Sequence, residues 1–216
     1  MSDSPYSLRA LGEALQQRGF HVVGLRMPGH GTIPSGLLNL QWQDMATVVN
    51  LGVTHLAKEL PGKPIHIIGY STGAALALDY TLRSEFDAVL PAAATLVLIS
   101  PAIGVSPAAA LAKWSRRLSL LPGLNQLAWL GVEPEFDPYK YNSFTNNAGT
   151  QRCDLSNVIQ LILASVKHMV LCPLYQSDAS DDFPCDDLVA LGLITYNTLF
   201  TISISAVDLH FPLKSL

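Results

Sequence analysis

The chain predicts an α/β fold, a doubly wound and mostly parallel sheet carrying an inserted helical lid. Three observations predict it. A β-branched apolar run (Ile65, Ile67, Ile68) passes through Gly69-Tyr70-Ser71-Thr72-Gly73 into an Ala/Leu-rich stretch at 74–78, the strand-turn-helix order of a nucleophile elbow. Strand-like and helix-like segments alternate through residues 5–100, the pattern of a parallel sheet joined by helical crossovers. Residues 101–169 break that alternation with short apolar helices and a Tyr/Asn/Pro loop, after which strand character returns. The expected division is a first core portion over 1–100, a lid over 101–169 and a second core portion over 170–216.

Taken in order, Ser4 and Pro5 form an N-cap with a first-turn proline, and Leu8, Leu11 and Leu15 recur at helical spacing until Gly19 ends the helix. Residues 20–25 (Phe-His-Val-Val-Gly-Leu) read as a short strand, followed by a breaker-rich loop at 26–32. Trp42, Met45, Val48, Val49 and Val53 share one side of a helix that runs to about Leu60. Pro61-Gly62-Lys63-Pro64 then turns the chain into the elbow strand. Residues 95–100 form an uninterrupted apolar run, as in strands buried on both faces of a parallel sheet. Within the lid, short helices are expected around Trp114, 118–121 and 127–130, and a longer one from about Leu155. Strands are expected at 170–176 and 194–205, separated by the acidic stretch 178–187.

Of the 216 residues, 49% are hydrophobic and 14% charged, and the net charge is −4. No Lys/Arg cluster alternates with aromatics, which excludes a nucleic-acid partner and favours a neutral or apolar ligand. Cys153, Cys172 and Cys185 lack the close pairing of metal or redox motifs and read as buried or unbridged thiols. No apolar run reaches the length of a membrane span, and residues 1–5 lack the basic and apolar regions of a signal peptide. The default location is cytoplasmic, with the reservation that an address upstream of Met1 could have been lost.

A serine hydroxyl needs a base, usually a histidine held by a carboxylate. Ser71 is the candidate nucleophile, and the flanking Gly69 and Gly73 are expected because side chains there would collide with backbone. In the order Ser, Asp, His, two histidines follow Ser71, His168 and His210, and only His210 also follows the acidic stretch. The orienting acid is one of Asp178, Asp181 and Asp182, with Asp181 preferred.

The series Arg26-x-Pro28-Gly29-His30-Gly31-x-x-Pro34, Trp42-x-Asp44 and Gly69-Tyr70-Ser71-Thr72-Gly73 resembles the bacterial monoacylglycerol lipase and carboxylesterase branch of the α/β-hydrolases. The resemblance runs from Pro5 to about Gln176. It implies an α/β-hydrolase fold and cleavage of monoacylglycerols or small acyl esters without metal or organic cofactor. It also implies that His30 belongs to a structural loop, and that the spacing of Ser71, Asp181 and His210 is that of a lidded triad. The Thr72 N–H and the backbone at Met1 are the implied oxyanion donors, while Tyr70, Leu121 and Trp129 are the expected substrate contacts. Against the family pattern, the strand ending in His-Gly-x and the closing helix are missing from the chain, which therefore reads as a truncated hydrolase. The implied partner is a small neutral acyl ester, with transient contact to a lipid surface and no set oligomeric state. A peptidase or amidase on the same scaffold, and a catalytically inactive binding module, are the alternatives.

Overall fold

A computed structural model describes residues 2–104, 114–119 and 121–165. Its centre is a strand-helix-strand unit. Strand β1 (His66–Tyr70) pairs in parallel with β2 (Thr95–Ile99), with Ile68 opposite Val97 and Tyr70 opposite Ile99. A parallel pair needs a crossover, and an intervening helix spans residues Thr72–Ser84. The parallel α/β reading therefore holds over these residues. Both strands are only partly covered, with Gly69 and Leu98 their buried members, so the full burial expected for 95–100 is not observed among the described residues.

The chain enters through a 3-10 turn at Pro5–Leu8, where the Ser4 hydroxyl accepts from the Tyr6 N–H, followed by α1 (Arg9–Gln16). Gly19 then turns the chain at φ 87°. The strand expected at 20–25 is not formed: the segment joins no ladder, and Val22 and Val23 are 41% and 43% exposed. Propensity alone cannot make a strand where no neighbouring ladder receives its backbone. Side chains hold the segment instead. Phe20 meets the edge of the His66 ring at 5.8 Å, and Leu25 packs so closely over Gly52 that a Cβ there would stand 2.7 Å from its Cδ2.

Helix α2 (Trp42–Glu59) begins on a capping box, with Gln41 and Asp44 reciprocally bonded, and buries Met45, Ala46, Val49 and Val53. The Thr72–Ser84 helix, α3, lies between the strand pair on one side and α2 and the last described helix on the other. Buried on nearly every side, it supplies Ala74, Leu76, Leu78, Tyr80 and Leu82 to the core.

That last helix is α4 (Asn146–Ser165), which starts nine residues before the expected Leu155. Its first turns lack apolar periodicity because their buried face is polar. Asn147 donates to the Leu37 and Leu40 carbonyls, both at 2.8 Å, and Gln151 accepts the Trp42 N–H at 3.0 Å. Further along, Ser156 donates to the Ala102 carbonyl and Gln160 to that of Ile103, each at 3.0 Å. Leu155 and Ile159 complete the attachment to the core.

Between these helices, residues 114–118 are helical and a 3-10 turn spans Asn125–Ala128. The helix expected over 127–130 is thus cut short. Trp129 is extended (φ −106°, ψ 136°) and opens β3 (Trp129–Gly131), antiparallel to β4 (Phe144–Thr145). Cross-strand pairing with Thr145 overrides local helix preference there.

Candidate active site

The two parallel strands stop at the same level, Tyr70 opposite Ile99. The next residue on each, Ser71 and Ser100, has a positive φ of 53° and 44°, the two such non-glycine residues among those described. Left-handed backbone costs an ordinary residue roughly 1–3 kcal/mol and persists only where its surroundings enforce it. At Ser71 the enforcement is explicit. Its N–H donates to the Ile99 carbonyl at 2.9 Å, while its own carbonyl accepts from Ala74, Ala75 and Ala102 at 3.1, 3.3 and 3.2 Å.

Gly69 is dictated by that turn. A Cβ there would lie 2.4 Å from Ala74 Cα and 2.6 Å from the Ala74 nitrogen and Gly73 oxygen. All three are backbone atoms and cannot rotate away. Gly73 is different: a Cβ at that position meets nothing within 4 Å, so the collision expected there does not occur.

Ser71 is the N-cap of α3, and Thr72 is its first helical residue. The first N–H groups of a helix have no intrahelical acceptor, and they sit at the positive end of its dipole. The Thr72 N–H is therefore free of the helix ladder and follows the candidate nucleophile directly. The Thr72 side chain is buried, and its Oγ1 has no hydrogen-bond partner among the described residues.

Beyond the strand ends opens a cleft of about 340 Å³ lined by Asp3, Ser7, Leu8, Tyr70, Ile99 and Lys140. Ligands of open parallel sheets bind at the carboxyl ends of the strands, and Tyr70 and Ile99 are those ends. Of the expected substrate contacts, Tyr70 lines this cleft. Leu121, 52% exposed, and half-buried Trp129 do not. Asp3, Ser7 and Lys140 carried no signal in the sequence, because they come from separate stretches joined by packing. Tyr139 stacks on Tyr6 with centroids 3.6 Å apart, and the Tyr141 N–H donates to the Ser2 carbonyl at 3.0 Å.

His30 is buried, with Nδ1 2.8 Å from the Pro28 carbonyl and its ring stacked on Tyr141 at 6.4 Å. The Tyr141 hydroxyl donates to the Gly29 carbonyl at 2.9 Å and accepts the Thr32 N–H at 2.8 Å. His30 thus sits inside a bonded loop. Asp181, with Asp178 and Asp182, lies outside the described residues, as do His168, His210 and Met1. So do the strands expected at 170–176 and 194–205.

One acid inside the core was not singled out. Asp79 on α3 is fully buried, and burial pushes its carboxyl above the ordinary carboxylate range against the opposing pull of Arg83, which it meets at 2.7 Å. Two turns along α3 from Ser71, it belongs to the helix interior. Among the described residues no cluster of His, Cys, Asp and Glu could hold a metal ion, and no helix is long and apolar enough to cross a membrane.

The model of the alpha/beta hydrolase family matches residues 2–194. No curated protein matches the chain. Among solved structures, one described as part of the metagenome-derived lipolytic enzymes LipS and LipT aligns at 21% identity and TM-score 0.59, covering 76% of this chain and 63% of its own. The monoacylglycerol lipase of Paleococcus ferrophilus aligns at 19% identity and TM-score 0.54, covering 74% of this chain and 64% of its own. The matched region is therefore just under two thirds of either structure, and at these identities the likeness is one of fold.

Proposed function

The chain belongs to the alpha/beta hydrolase family, and from that premise we propose that it is a serine hydrolase cleaving carboxylic esters through an acyl-enzyme. The observation that carries the proposal is the backbone of Ser71, held at φ 53° and ψ −118° between a parallel strand and a helix N-terminus. That conformation serves a side chain that must stand clear of both elements at the strand ends.

In this reading the Ser71 hydroxyl attacks the ester carbonyl and His210 takes its proton, while Asp181 holds the imidazole. The oxyanion gains the Thr72 N–H as one donor, and the backbone at Met1 is assigned the second. His210 then protonates the departing alcohol. Water repeats the sequence on the acyl-enzyme and regenerates Ser71. Residues 101–169 act as the lid, with Leu121 and Trp129 toward the acyl chain. The lipolytic names of the two solved structures support neutral acyl esters, monoacylglycerols or small carboxylic esters, as the substrate class.

The test is labelling of the natural full-length protein by a fluorophosphonate, together with hydrolysis of short p-nitrophenyl esters. Ser71→Ala is expected to lose the label and about 10⁴-fold or more in turnover. Labelling that persists in Ser71→Ala overturns the assignment. A wild-type protein that folds and is never labelled favours the inactive binding module.

A further inference from the structure

Thr72 opens α3 with a hydroxyl that nothing among the described residues uses. The residue is 6% exposed, and its Oγ1 makes no hydrogen bond there. Later hydroxyls of the helix are spent on the turn before them: Thr81 donates to the Ala77 carbonyl at 2.9 Å and Ser84 to that of Thr81 at 2.8 Å. Thr72 has no helical turn behind it, since Gly69 and Ile68, three and four places earlier, belong to β1. The other orphaned atoms of α3, on Asp79 and Arg83, belong to two side chains that meet each other at 2.7 Å.

A buried hydroxyl left unpaired lowers stability, and a valine of the same shape would avoid that cost. Groups of this kind call for a use. The Cα–Cβ bond of a helical residue leans toward the helix N-terminus, which for the first residue means past the start of α3, toward Ser71 and the strand ends. That start is itself fixed, because Gly69 lets Ala74 pack on β1 backbone and the Ser71 carbonyl accepts from Ala74 and Ala75. Threonine is β-branched, so its hydroxyl has few rotamers to choose among. Resting on the serine-esterase reading above, we propose that the Thr72 side chain is a catalytic hydrogen-bond donor, its hydroxyl joining the Thr72 N–H on the oxyanion. As the Ser71 oxygen bonds to the ester carbon, the carbonyl π pair moves onto its oxygen, and the hydroxyl proton is shared with that oxygen without being transferred. Collapse of the intermediate returns the pair to the carbonyl and expels the alcohol oxygen. The buried hydroxyl thus gains a partner when negative charge develops beside it, which favours the transition state over the bound ester.

The experiment measures burst-phase and steady-state hydrolysis of p-nitrophenyl butyrate, together with thermal unfolding, for the natural full-length protein and for Thr72→Val and Thr72→Ser. Thr72→Val is expected to unfold at the wild-type temperature or above it while losing about 10²-fold in kcat, with KM little changed. Acylation and deacylation should slow alike, since each passes through an oxyanion. Thr72→Ser, which keeps the hydroxyl, is expected to retain most of the wild-type rate. An unchanged kcat in Thr72→Val overturns the donor and leaves the serine-esterase reading standing. So does a loss confined to deacylation, which assigns the hydroxyl to the attacking water, and an equal loss in Thr72→Ser, which assigns the effect to the methyl. A lower unfolding temperature in Thr72→Val means that the hydroxyl is already bonded within the fold, and overturns it as well. A wild type that is never labelled by the fluorophosphonate removes both readings together.

Discussion

Helices α3 and α4 pack against each other in one core, and what holds each of them there differs in kind. Along α3 the contact is made by Ala74, Ala75, Leu76, Leu78, Tyr80 and Leu82, all within 2% of full burial. The first half of α4 is held instead by Asn147 and Gln151, buried polar side chains whose amides bond to the backbone of Leu37, Leu40 and Trp42. Apolar burial is tolerant of small shifts because it has no direction. The polar attachment is directional and ties α4 to particular carbonyls, those of Leu37 and Leu40, and so to one register.

The most severe break of this comparison is Gly69→Ala. Its added methyl meets the backbone of Ala74 and Gly73, so α3 must move off the strand, and we expect loss of cooperative folding, read as the absence of a thermal transition. Leu76→Ala comes next. It opens a cavity in the apolar contact and should cost about 2–5 kcal/mol in urea unfolding.

Asn147→Ala should cost less, about 1–3 kcal/mol, by taking the Asn147 amide from the Leu40 carbonyl and leaving the Leu37 carbonyl to the Thr145 hydroxyl alone. A loss equal to that of Leu76→Ala would mean that the polar contact carries the packing of α4 outright.

Asp79→Asn has a smaller effect, and one that varies with pH. Since burial raises the Asp79 carboxyl in the folded state, the wild type is favoured below the ordinary carboxylate range and loses that advantage as pH rises through the raised folded value. The stability of Asp79→Asn relative to wild type should therefore grow across that window and level off above it. A difference independent of pH in urea titrations would show that Arg83 fully offsets the burial.

Gly73→Ala closes the series. With open space at its Cβ and a gain in helix propensity of up to about 1 kcal/mol, it should leave the midpoint unchanged or slightly raised.

The same contrast explains what could be read in the sequence. The elbow and α2 were legible because their residues follow simple periods, β-branched into Gly-x-Ser-x-Gly in one case and Met45, Val49, Val53 in the other. The start of α4 was not, because Asn146, Asn147 and Gly149 read as loop, and what holds this end is bonding to distant parts of the chain, Asn147 to the Leu37 and Leu40 carbonyls and Asn146 to that of Leu127. Residues 20–25 failed in the opposite sense: their composition is that of a strand, but strands are made by neighbours. Within the site, Ser71 and Tyr70 were legible from local pattern. Asp3 and Lys140 line one cleft only through packing, which leaves no mark on either stretch of sequence.

The peptide of Ala102 is held at both ends, its N–H by the Ser71 carbonyl and its own carbonyl by Ser156 on α4. A residue with a single methyl and 2% exposure thus joins the elbow to the helix behind it. Backbone amides exchange with solvent only when their acceptor is released, by local fluctuation or by wider opening. The Ala102 amide therefore serves as a built-in gauge of the elbow, since its exchange with deuterium requires its bond to the Ser71 carbonyl to open. Removing the Ser156 hydroxyl loosens the far end of that peptide without touching Ser71, so a faster exchange at Ala102 would measure how much of the turn's rigidity at Ser71 is supplied from α4.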